Sequence, residues 1–509
     1  MRILYAITSA VTQTPAGPTA IIASTRYRVL VPAEQLMRAG HEVQIASLMD
    51  SKGQWPDAVK QARPDVLVIS KSFHSANEEL ATLMKSRGTR VVVDMCDDYF
   101  DHPQHGQHFR NIAGLADQVV AGSQALADSI RKHTGRDSIV IGDPIEGPRG
   151  VPAFAPKLPR LRIAWFGLPF NLHGVVAKTN ELRELVERVP VTLRFVTSDE
   201  PEVRDFLKQL ANASPARLRV ELIPWTLEAT WKALAECDLA WIPADDTARA
   251  VAKGPNRLVE TLWAGRLVVA DAVPSYVRFG DLVPIGRGLA GPVMAALENP
   301  AAVEKSIVEA QRRVAKEFSP YKIGQQWAAA LGDTSARAIK LNLGCGDKIL
   351  PGYVNVDVVE ARAGMKPDVI CDLHDLVPFA DASVDEILSV HVVEHFWRWE
   401  VRDVIREWVR VLKPGGRMVI ECPNLQSACQ TFLEDPVQRS REDQQGQRTM
   451  WVFYGDPKWK DPLMNHRWGY TPESLAALLS EAGLSQVRQE PAQFKLKEPR
   501  DMRIVGIKP

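Results

Sequence analysis

The sequence lacks an excess of charge of either sign. Its 509 residues include 62 Lys and Arg and 62 Asp and Glu, so the formal charges cancel. Proteins that neutralise nucleic-acid phosphates normally carry a basic excess, and we therefore expect no nucleic-acid partner. A local basic patch would still be compatible with peripheral contact to a membrane surface.

Long apolar runs and paired cysteines are missing as well. No run approaches the ~20 residues of a transmembrane helix, and the apolar start MRILYAITSA is short enough to indicate a first β-strand rather than a signal peptide. The cysteines form no C-x-x-C pair, which indicates reduced thiols rather than disulfides or a metal site. They are Cys96, Cys237, Cys345, Cys371, Cys422 and Cys429. These absences predict a cytoplasmic protein, compatible with a peripheral position at an inner membrane.

What the sequence does contain is a sustained alternation of strand-like and helix-like runs, which predicts parallel α/β layers. The stretch DPIEGPRGVPAFAPKLPR, at 143–160, is dense in Pro and Gly and indicates a linker. The polar GDTSAR before Ile339 marks a second boundary. We predict three domains, at residues 1–150, 151–333 and 338–509.

The third segment opens with LNLGCGDKILPGYVNVD, beginning at Leu341. A dinucleotide-binding fingerprint would need a third glycine where Ile349 stands, and an acid roughly 20 residues further on. Here Asp357 comes early, and the connection is too short for a long helix. The turn therefore lacks the helix N-terminus that normally binds a pyrophosphate. A ligand with one carboxylate for the amides of the turn and ribose hydroxyls for Asp357 fits better. S-adenosylmethionine has these groups and no phosphate.

The motifs LNLGCG, NVD, CDL, VVEHF and VLKPGGR together resemble those of the class I S-adenosylmethionine-dependent methyltransferases, over roughly residues 338–509. The resemblance implies a Rossmann-like domain with S-adenosylmethionine as cofactor. It also implies the residues that line the cofactor. They are Gly344, Cys345, Gly346, Asp357 and Asp372.

Methyl transfer to a hydroxyl also needs a group that removes the hydroxyl proton. His391, Glu394 and His395 follow the end of a predicted strand, and His466 lies in MNHRWGYTPESL, a stretch suited to covering a substrate. His395 and His466 are the first candidates for the base and His391 is the third. Alternatively, His391 and Glu394 only hold the loop by hydrogen bonds. His391 and His395 have metal-like i, i+4 spacing, but we find no further ligand that completes a set and expect no metal.

In the second segment, the stretch DLAWIPADDTARAVAKGPNRLVETLWAGRLVVADA predicts a strand, a loop, a helix from Asn256 to Ala264, a stop at Gly265 and another strand. A helix N-terminus beside Lys253 suits a diphosphate. Glu260, one turn deeper, suits the hydroxyls of a ribose. A nucleotide diphosphate-sugar presents both kinds of group.

These residues resemble the donor-binding half of GT-B glycosyltransferases, in particular the family 4-like enzymes whose helix reads K-x-x-N-[KR]-L-x-E-x-x-x-A-G. The likeness extends more faintly over residues 1–333. It implies that Lys253 contacts phosphate, that Asn256 orders the loop and that Glu260 binds ribose. Many such enzymes have a second glutamate eight residues before the ribose-binding one, where this chain has Ala252. The basic residue often found just after the strand in WFG is also missing.

The first domain contributes two further candidates. Arg26 stands at the start of a predicted helix whose N-terminus should face a cleft, where it would contact donor phosphate or an anionic acceptor; the alternative is a surface arginine whose stem covers apolar area. The segment MCDDYFDHPQHGQH, from Met95, combines acids and histidines. We interpret it as an acceptor-binding loop without a metal, in which His102 or Asp98 is the candidate base.

The whole chain therefore predicts a bifunctional enzyme in which two Rossmann-like domains in a GT-B arrangement precede a Rossmann-like methyltransferase domain. We expect it to use a nucleotide-sugar and S-adenosylmethionine, and to modify a glycan or glycolipid acceptor, by O-methylation, in the synthesis of a bacterial surface polysaccharide or glycolipid. One alternative is a methyltransferase whose GT-B part is inactive and only docks the glycan. Another is a methyltransferase that acts on a protein or a small metabolite.

Overall fold

The chain divides into two compact units, Met1–Thr334 and Ser335–Pro509. The structure, a computed structural model, describes residues 1–15, 17–49, 53–245, 247–335, 338–441, 444–494 and 501–509, with the side chains of 248–249 and 444–448 left undescribed. Among these residues no helix is long and apolar enough to cross a membrane.

The first half of unit 1 is built on a six-stranded sheet. The strands of this sheet are β1 (Arg2–Ile7), β4 (Glu42–Ser47), β5 (Val66–Ser70), β6 (Arg90–Met95), β7 (Gln118–Ala121) and β8 (Ser138–Val140). A small hairpin between β1 and β4 consists of β2 (Thr12–Thr14) and β3 (Gly17–Thr19). The sheet order is β4-β1-β5-β6-β7-β8 and every pairing is parallel, with β2 and β3 forming the separate hairpin. Near-continuous apolar strands such as VLVIS are buried along their whole length, as expected of a parallel sheet covered on both faces.

Within the described residues of this half, six α-helices accompany the sheet. They are α1 (Ala23–Thr25), α2 (Val31–Arg38), α3 (Asp57–Gln61), α4 (Ala76–Lys85), α5 (Gly106–Leu115) and α6 (Gln124–Thr134). The helix predicted to start at Arg26 begins with a π-helical turn, Arg26–Leu30, which lies between α1 and α2. All five residues of this turn are buried, and single π turns of this kind are frequent at functional sites.

The second half of unit 1 repeats the architecture with five strands. They are β9 (Leu161–Phe166), β10 (Val191–Thr197), β11 (Leu218–Pro224), β12 (Leu239–Ile242) and β13 (Leu267–Ala270), in the parallel order β11-β10-β9-β12-β13. The helices are α7 (Leu172–Ala177), α8 (Thr179–Arg188), α9 (Pro201–Asn212), α10 (Leu227–Glu236), α11 (Ala248–Val251), α12 (Asn256–Trp263), α13 (Pro274–Val277), α14 (Ala290–Glu298), α15 (Pro300–Phe318) and α16 (Pro320–Ala330). The two strands predicted on either side of the helix that starts at Asn256 form as β12 and β13.

The last helix of unit 1 returns to the first sheet. Ile323 and Trp327 of α16 are buried in the same apolar cluster as Ile3 and Tyr5 of β1. Gly324 permits this crossing, because a Cβ atom there would lie 2.4 Å from Cβ of Gln35 on α2. α16 therefore packs with the first half, although it lies within the predicted domain of 151–333.

Unit 2 contains one seven-stranded sheet. Its strands are β14 (Lys340–Leu343), β15 (Val354–Asp357), β16 (Val369–Ile370), β17 (Val384–Val390), β18 (Leu412–Pro423), β19 (Ser485–Glu490) and β20 (Asp501–Ile507), and its helices are α17 (Val401–Val411), α18 (Leu425–Glu434), α19 (Pro436–Arg439), α20 (Gln444–Tyr454) and α21 (Pro472–Glu481). The order is β16-β15-β14-β17-β18-β20-β19, in which β20 alone runs antiparallel to its neighbours.

The sheet of unit 2 fixes where functional side chains gather. β14, β15 and β17 are parallel, so their carboxyl ends meet at one edge, where α/β folds bind ligands. The glycine turn after Leu343, the carboxylate of Asp357 and the segment that begins at His391 all follow these ends. As predicted, no helix intervenes between β14 and β15.

We predict that Trp327→Ala destabilises unit 1 by about 3–5 kcal/mol, as is typical when a buried tryptophan is truncated. Trp327 is fully buried, and its ring lies against Tyr5, with centroids 6.4 Å apart, and under the guanidinium of Arg28 at 5.3 Å. Urea unfolding of the full chain measures the loss. Gln325→Ala on the exposed side of the same helix is the control, with an expected change within about 0.5 kcal/mol; equal losses in the two variants would contradict the packing of α16.

Candidate active sites of the two units

The glycine turn of unit 2, Gly344 to Gly346, is held against β15 by hydrogen bonds. The amides of Gly344 and Cys345 donate to the carbonyl of Val356 at 2.8 and 3.1 Å, and the amide of Gly346 donates to the Asp357 carboxylate at 2.7 Å. The expectation that these amides receive a ligand carboxylate is therefore not met by the geometry, since all three are bonded within the protein. What the turn provides is a rigid wall beside Asp357.

Two buried asparagines hold the loop that replaces the missing helix. Asn342 donates to the carbonyl of Lys348 at 2.9 Å and to Asn355, whose own oxygen accepts from the amide of Leu350 at 2.8 Å. Buried backbone groups need such partners when no helix supplies them. In the motif NVD, Asn355 therefore has a structural role in holding this loop, and Asp357 is the acid predicted to bind the cofactor.

The two acids predicted to bind the cofactor differ in exposure, since Asp357 is buried and the side chain of Asp372 is about half exposed. Asp357 is 8% exposed, and its second oxygen accepts from the amide of Val359 at 3.1 Å. Asp372 lies two residues past β16 and accepts from the amide and Nδ1 of His374 at 3.0 and 2.8 Å. The bond to Asp372 raises the pKa of His374 above its usual value. His374 was missed by sequence reasoning, although a histidine two residues after a strand-end aspartate is a detectable signal.

Gly344 brings the histidine segment up to the turn. Its φ is +67°, and a Cβ atom there would lie 2.5 Å from a methyl carbon of Val392. His391 adopts φ +58°, a left-handed conformation that few side chains accept. The close approach therefore places the segment from His391 to His395 directly beside the predicted cofactor wall.

The three predicted histidines of unit 2 gather around Glu394. Nδ1 of His391 lies 3.3 Å from a Glu394 oxygen, while Nε2 of His391 lies 2.7 Å from a carboxylate oxygen of Asp501. The rings of His395 and His466 lie edge to face with centroids 5.0 Å apart. Nε2 of His466 lies 3.8 Å from the same Glu394 oxygen.

Glu394 is the centre of this cluster and is 2% exposed. Burial opposes its charge, but the neighbouring His391, His395 and His466 hold the pKa of Glu394 at about 2. A fixed negative charge in the interior therefore faces three imidazoles. Sequence reasoning proposed the histidines and gave Glu394 only a loop-holding role. Asp501 was missed, because only the pairing of β20 with β18 brings it here.

In unit 1 the predicted donor residues lie around the start of α12. Asn256 donates to the Asp143 carboxylate at 2.5 Å, which fixes the first turn of α12 to the end of the first half. Nζ of Lys253 lies 4.4 Å from the centroid of the Phe170 ring. Ala252 is 3% exposed within the apolar cluster of the first half, and its carbonyl accepts from the hydroxyl of Ser123.

Glu260 and Arg26 meet in one buried network. The Tyr27 hydroxyl donates to Glu260, and Nε of Arg26 donates to the Glu146 carboxylate at 2.8 and 3.0 Å. Arg26 also donates to the carbonyls of Ala20 and Ile21. The guanidinium of Arg26 is held by protein groups in the same network as Glu260, and its predicted contact with donor phosphate or an anionic acceptor stays a prediction. Tyr27 and Glu146 were missed, although Tyr27 stands between the two arginines of the RYR motif.

The environment of Glu260 disfavours its charge. Burial raises the pKa of Glu260 to about 7, and the Glu146 carboxylate adds to the effect, while the Tyr27 bond and Arg26 act in the opposite direction. The pKa values of the two buried glutamates, Glu260 in unit 1 and Glu394 in unit 2, are therefore shifted in opposite directions. Glu394 is held ionised, and Glu260 changes its protonation near neutral pH.

The remaining candidates of the first half lie at the carboxyl edge of its sheet. A cavity of about 340 Å³ opens at the ends of β1 and β5, and its lining includes Thr8, Ser9, Ser70 and Lys71. His102 lies in the loop after β6, is exposed, and stacks on His105 with ring centroids 4.7 Å apart. A catalytic role for His102 stays a prediction.

Comparisons with known proteins agree with both folds. Residues 351–420 match the family model Methyltransf_11, described as "Methyltransferase domain". HepE from Anabaena, solved with UDP, is 16% identical, covers 65% of this chain and 99% of its own, and has a TM-score of 0.50. HepE with UDP and glucose (15% identity, 65% and 99% covered, TM-score 0.47) and apo OtsA (11%, 66% and 100%, 0.48) are also similar. No curated protein matches the sequence.

The chain thus joins a GT-B-like unit to a Rossmann-like methyltransferase domain. The predicted fold class and the predicted relationship to these two groups are confirmed. The prediction of a methyltransferase part is supported by the family model over residues 351–420, and the fold of unit 1 agrees with the predicted GT-B arrangement. At 16% identity the likeness to HepE shows the fold, and the reactions of the two units are treated below as proposals.

We predict that Gly344→Ala destabilises unit 2 more than Gly352→Ala. Both glycines have positive φ, +67° and +81°, so both variants should lose about 1–2 kcal/mol from the strained backbone. A new Cβ at Gly344 meets Val392, whereas one at Gly352 meets nothing within 4 Å. Overpacking should add about 1–3 kcal/mol at Gly344 alone. Urea unfolding of the full-length variants measures the difference, and equal losses would contradict the close approach of Val392.

We also predict that wild type loses stability relative to Glu260→Gln as the pH rises. The folded-state pKa of Glu260, about 7, lies above its ordinary value of 4.5, so the native state binds the proton more tightly than the unfolded state. The difference is absent below pH 4.5, grows between 4.5 and 7, and reaches up to about 3 kcal/mol above 7.

Unfolding free energies measured near pH 4.5 and above pH 7, at the two ends of this range, check this sign. Glu187→Gln, at an exposed position of α8, is the control and should follow wild type at every pH. A Glu260→Gln curve parallel to that of wild type would contradict the raised pKa.

Proposed function

We propose that the protein transfers a sugar from a nucleotide-sugar to a glycan or glycolipid and O-methylates a hydroxyl of the same class of acceptor, with S-adenosylmethionine as methyl donor. The observation that carries the proposal is the cluster of His391, His395 and His466 around the buried carboxylate of Glu394, beside the turn of Gly344. The match of residues 351–420 to a methyltransferase domain supports it.

The geometry of unit 2 suits an in-line methyl transfer. Asp357 and Asp372 follow neighbouring strands at the edge where the cofactor would lie, as acceptors for ribose hydroxyls and for the adenine end. The histidine cluster lies at the same edge and provides the site where an acceptor hydroxyl loses its proton. A base positioned in this way contributes on the order of 10²–10⁴-fold to a rate.

Exposed aromatic rings next to this cluster support a glycan acceptor. Trp397 and Trp399 follow His395 directly, stack with centroids 4.8 Å apart and are 41% and 73% exposed. Trp468 follows His466 and is also exposed. Sugar rings present apolar C–H faces together with hydroxyls, and amphipathic aromatic side chains suit such surfaces.

Unit 1 supplies the features that sugar transfer needs. α12 begins beside Lys253 and holds Glu260 on a rigid element, a combination that suits a diphosphate and a ribose. HepE, which shares the fold, was solved with UDP, so a uridine diphosphate-sugar is the first donor to test. The cavity at the ends of β1 and β5, lined with hydroxyl groups and Lys71, is the candidate acceptor site.

Joining the two activities in one chain keeps each product close to the second site and so raises its effective concentration. A methylated terminal hydroxyl can no longer act as a nucleophile, so methylation would end chain growth. Synthesis of a bacterial surface polysaccharide or glycolipid from a cytoplasmic position, with peripheral membrane contact, is the role that fits these reactions.

A second candidate function is a methyltransferase whose GT-B part only docks the glycan. Two observations favour it. Glu260 is already engaged by Tyr27, and Ala252 occupies the position of a glutamate that many family 4-like enzymes have and is buried against the first half. A nucleotide would have to displace the Tyr27 hydroxyl from Glu260 before its ribose could bind there.

We predict that Asp357→Asn lowers methyl transfer at limiting S-adenosylmethionine and spares sugar transfer, whereas Glu260→Ala lowers sugar transfer and spares methyl transfer. Loss of a charge-assisted hydrogen bond should weaken S-adenosylmethionine binding by about 1.5–3 kcal/mol. The measurement uses the full chain with methyl-tritiated S-adenosylmethionine, a panel of uridine diphosphate-sugars and glycan acceptors. Calorimetry measures cofactor binding separately.

Treatment of the product with base distinguishes the acceptor group, because a methyl ether survives and a methyl ester is hydrolysed. Wild type that methylates a glycan but consumes no nucleotide-sugar would favour the docking function. Undiminished cofactor binding by Asp357→Asn would contradict the assignment of the cofactor site.

A further inference from the structure

The cluster around Glu394 has the dimensions of a metal site. One ring nitrogen of His395, one of His466 and a carboxylate oxygen of Glu394 all lie within 4.8 Å of one another. Ligand atoms that share one zinc ion at about 2.0–2.2 Å are themselves separated by up to roughly 4 Å. Small side-chain adjustments would bring these three atoms onto one ion.

Both histidines are oriented as metal ligands usually are. Nδ1 of His395 donates to the carbonyl of Asn465 at 3.0 Å, and Nδ1 of His466 donates to the carbonyl of Val452 at 2.9 Å. Each bond fixes the tautomer in which Nε2 has a free lone pair. A backbone carbonyl that receives the second ring N–H is the characteristic outer partner of a metal-bound histidine.

The carboxylate that completes the set is buried and poorly satisfied. Glu394 is 2% exposed, and among the described residues neither of its oxygens accepts a well-aligned hydrogen bond; Nδ1 of His391 lies 3.3 Å from one of them. Buried carboxylates without such partners are rare and call for an explanation, such as a missing ion. His391, which lies 3.3 Å from Glu394 and 2.7 Å from Asp501, orients the carboxylate from behind.

The kinds of ligand restrict the kind of ion. Two imidazoles and one carboxylate suit zinc and its first-row neighbours, whereas calcium and magnesium prefer all-oxygen sites. Three protein ligands leave a coordination position open, as in catalytic rather than structural sites. His395 is partly exposed, so a substrate oxygen can reach that position.

We propose that Nε2 of His395, Nε2 of His466 and the carboxylate of Glu394 bind one divalent transition-metal ion of the zinc type. The sequence-based expectation of no metal rested on the spacing of His391 and His395. His391 is instead an outer partner, and His466, 71 positions after His395 in the sequence, supplies the missing ligand.

The role of the ion rests on the proposed function. An acceptor hydroxyl bound at the open position becomes more acidic and loses its proton to water. Its oxygen then forms a bond to the sulfonium methyl carbon while the S–CH₃ bond breaks and its electron pair stays on sulfur. The products are a methyl ether and S-adenosylhomocysteine, and the ion keeps its charge throughout.

Cobalt(II) is the direct probe, because its visible absorption depends on its ligands. Full-length protein freed of metal with a chelator should bind one equivalent with the d–d band of a four- or five-coordinate site, and zinc should displace it. Glu394→Gln, His395→Gln and His466→Gln should each weaken cobalt binding at least as much as the roughly 10–100-fold loss caused by removing an outer partner. His173→Gln, at an exposed histidine of unit 1, is the matched control and should leave binding unchanged.

Binding of S-adenosylmethionine by each variant shows that unit 2 is folded. Wild-type protein that takes up no stoichiometric cobalt or zinc overturns the proposal without reference to any variant. Binding that survives the three substitutions overturns it as well. If no ion binds but glycan is methylated, the proposed function stands with a histidine base. If an ion binds but glycan is not methylated, the metal site stands and the proposed function fails.

Discussion

A carboxylate buried in the interior must keep positive or hydrogen-bonded neighbours, because an isolated charge there costs several kcal/mol. In unit 2 this constraint falls on Glu394, and the surrounding structure meets it from three separate parts of the chain. His391 and His395 come from the segment after β17, His466 from the loop before α21, and Asp501 from β20 through its contact with His391. The need to place these groups together explains the left-handed backbone of His391 and the absence of a Cβ at Gly344.

Unit 1 also contains a buried carboxylate, Glu260, whose pKa is raised where that of Glu394 is lowered. Glu260 has a hydroxyl donor and a second carboxylate nearby, with Arg26 shared with Glu146, so its charge is only weakly favoured. A group of this kind costs little to protonate and gains strongly from a ligand that brings hydroxyl donors or nearby positive charge. The same chain therefore contains one acid fixed in its charged form and one whose charge depends on what binds.

Much of this arrangement could be predicted from the sequence. The predicted alternation of strands and helices forms parallel sheets as expected, and the motifs from LNLGCG to VLKPGGR are typical of the methyltransferase fold. What could not be predicted depends on contacts between distant segments. No periodicity signals that α16 returns to the first sheet, that Asp501 pairs with His391, or that Tyr27 meets Glu260, since each contact joins residues more than 100 positions apart.

The departure of the sequence from the family 4-like pattern at Ala252 follows from the packing of unit 1. Ala252 lies in the apolar cluster of the first half, and the hydroxyl of Ser123 bonds to its carbonyl. A glutamate here would bury a charge among apolar side chains without an evident partner, which is strongly unfavourable. The packing around Ala252 therefore leaves no favourable place for an acidic side chain at this position. Near α12, the groups whose chemistry suits the proposed donor are Lys253 and the carboxylate of Glu260, which the Tyr27 hydroxyl engages in this structure.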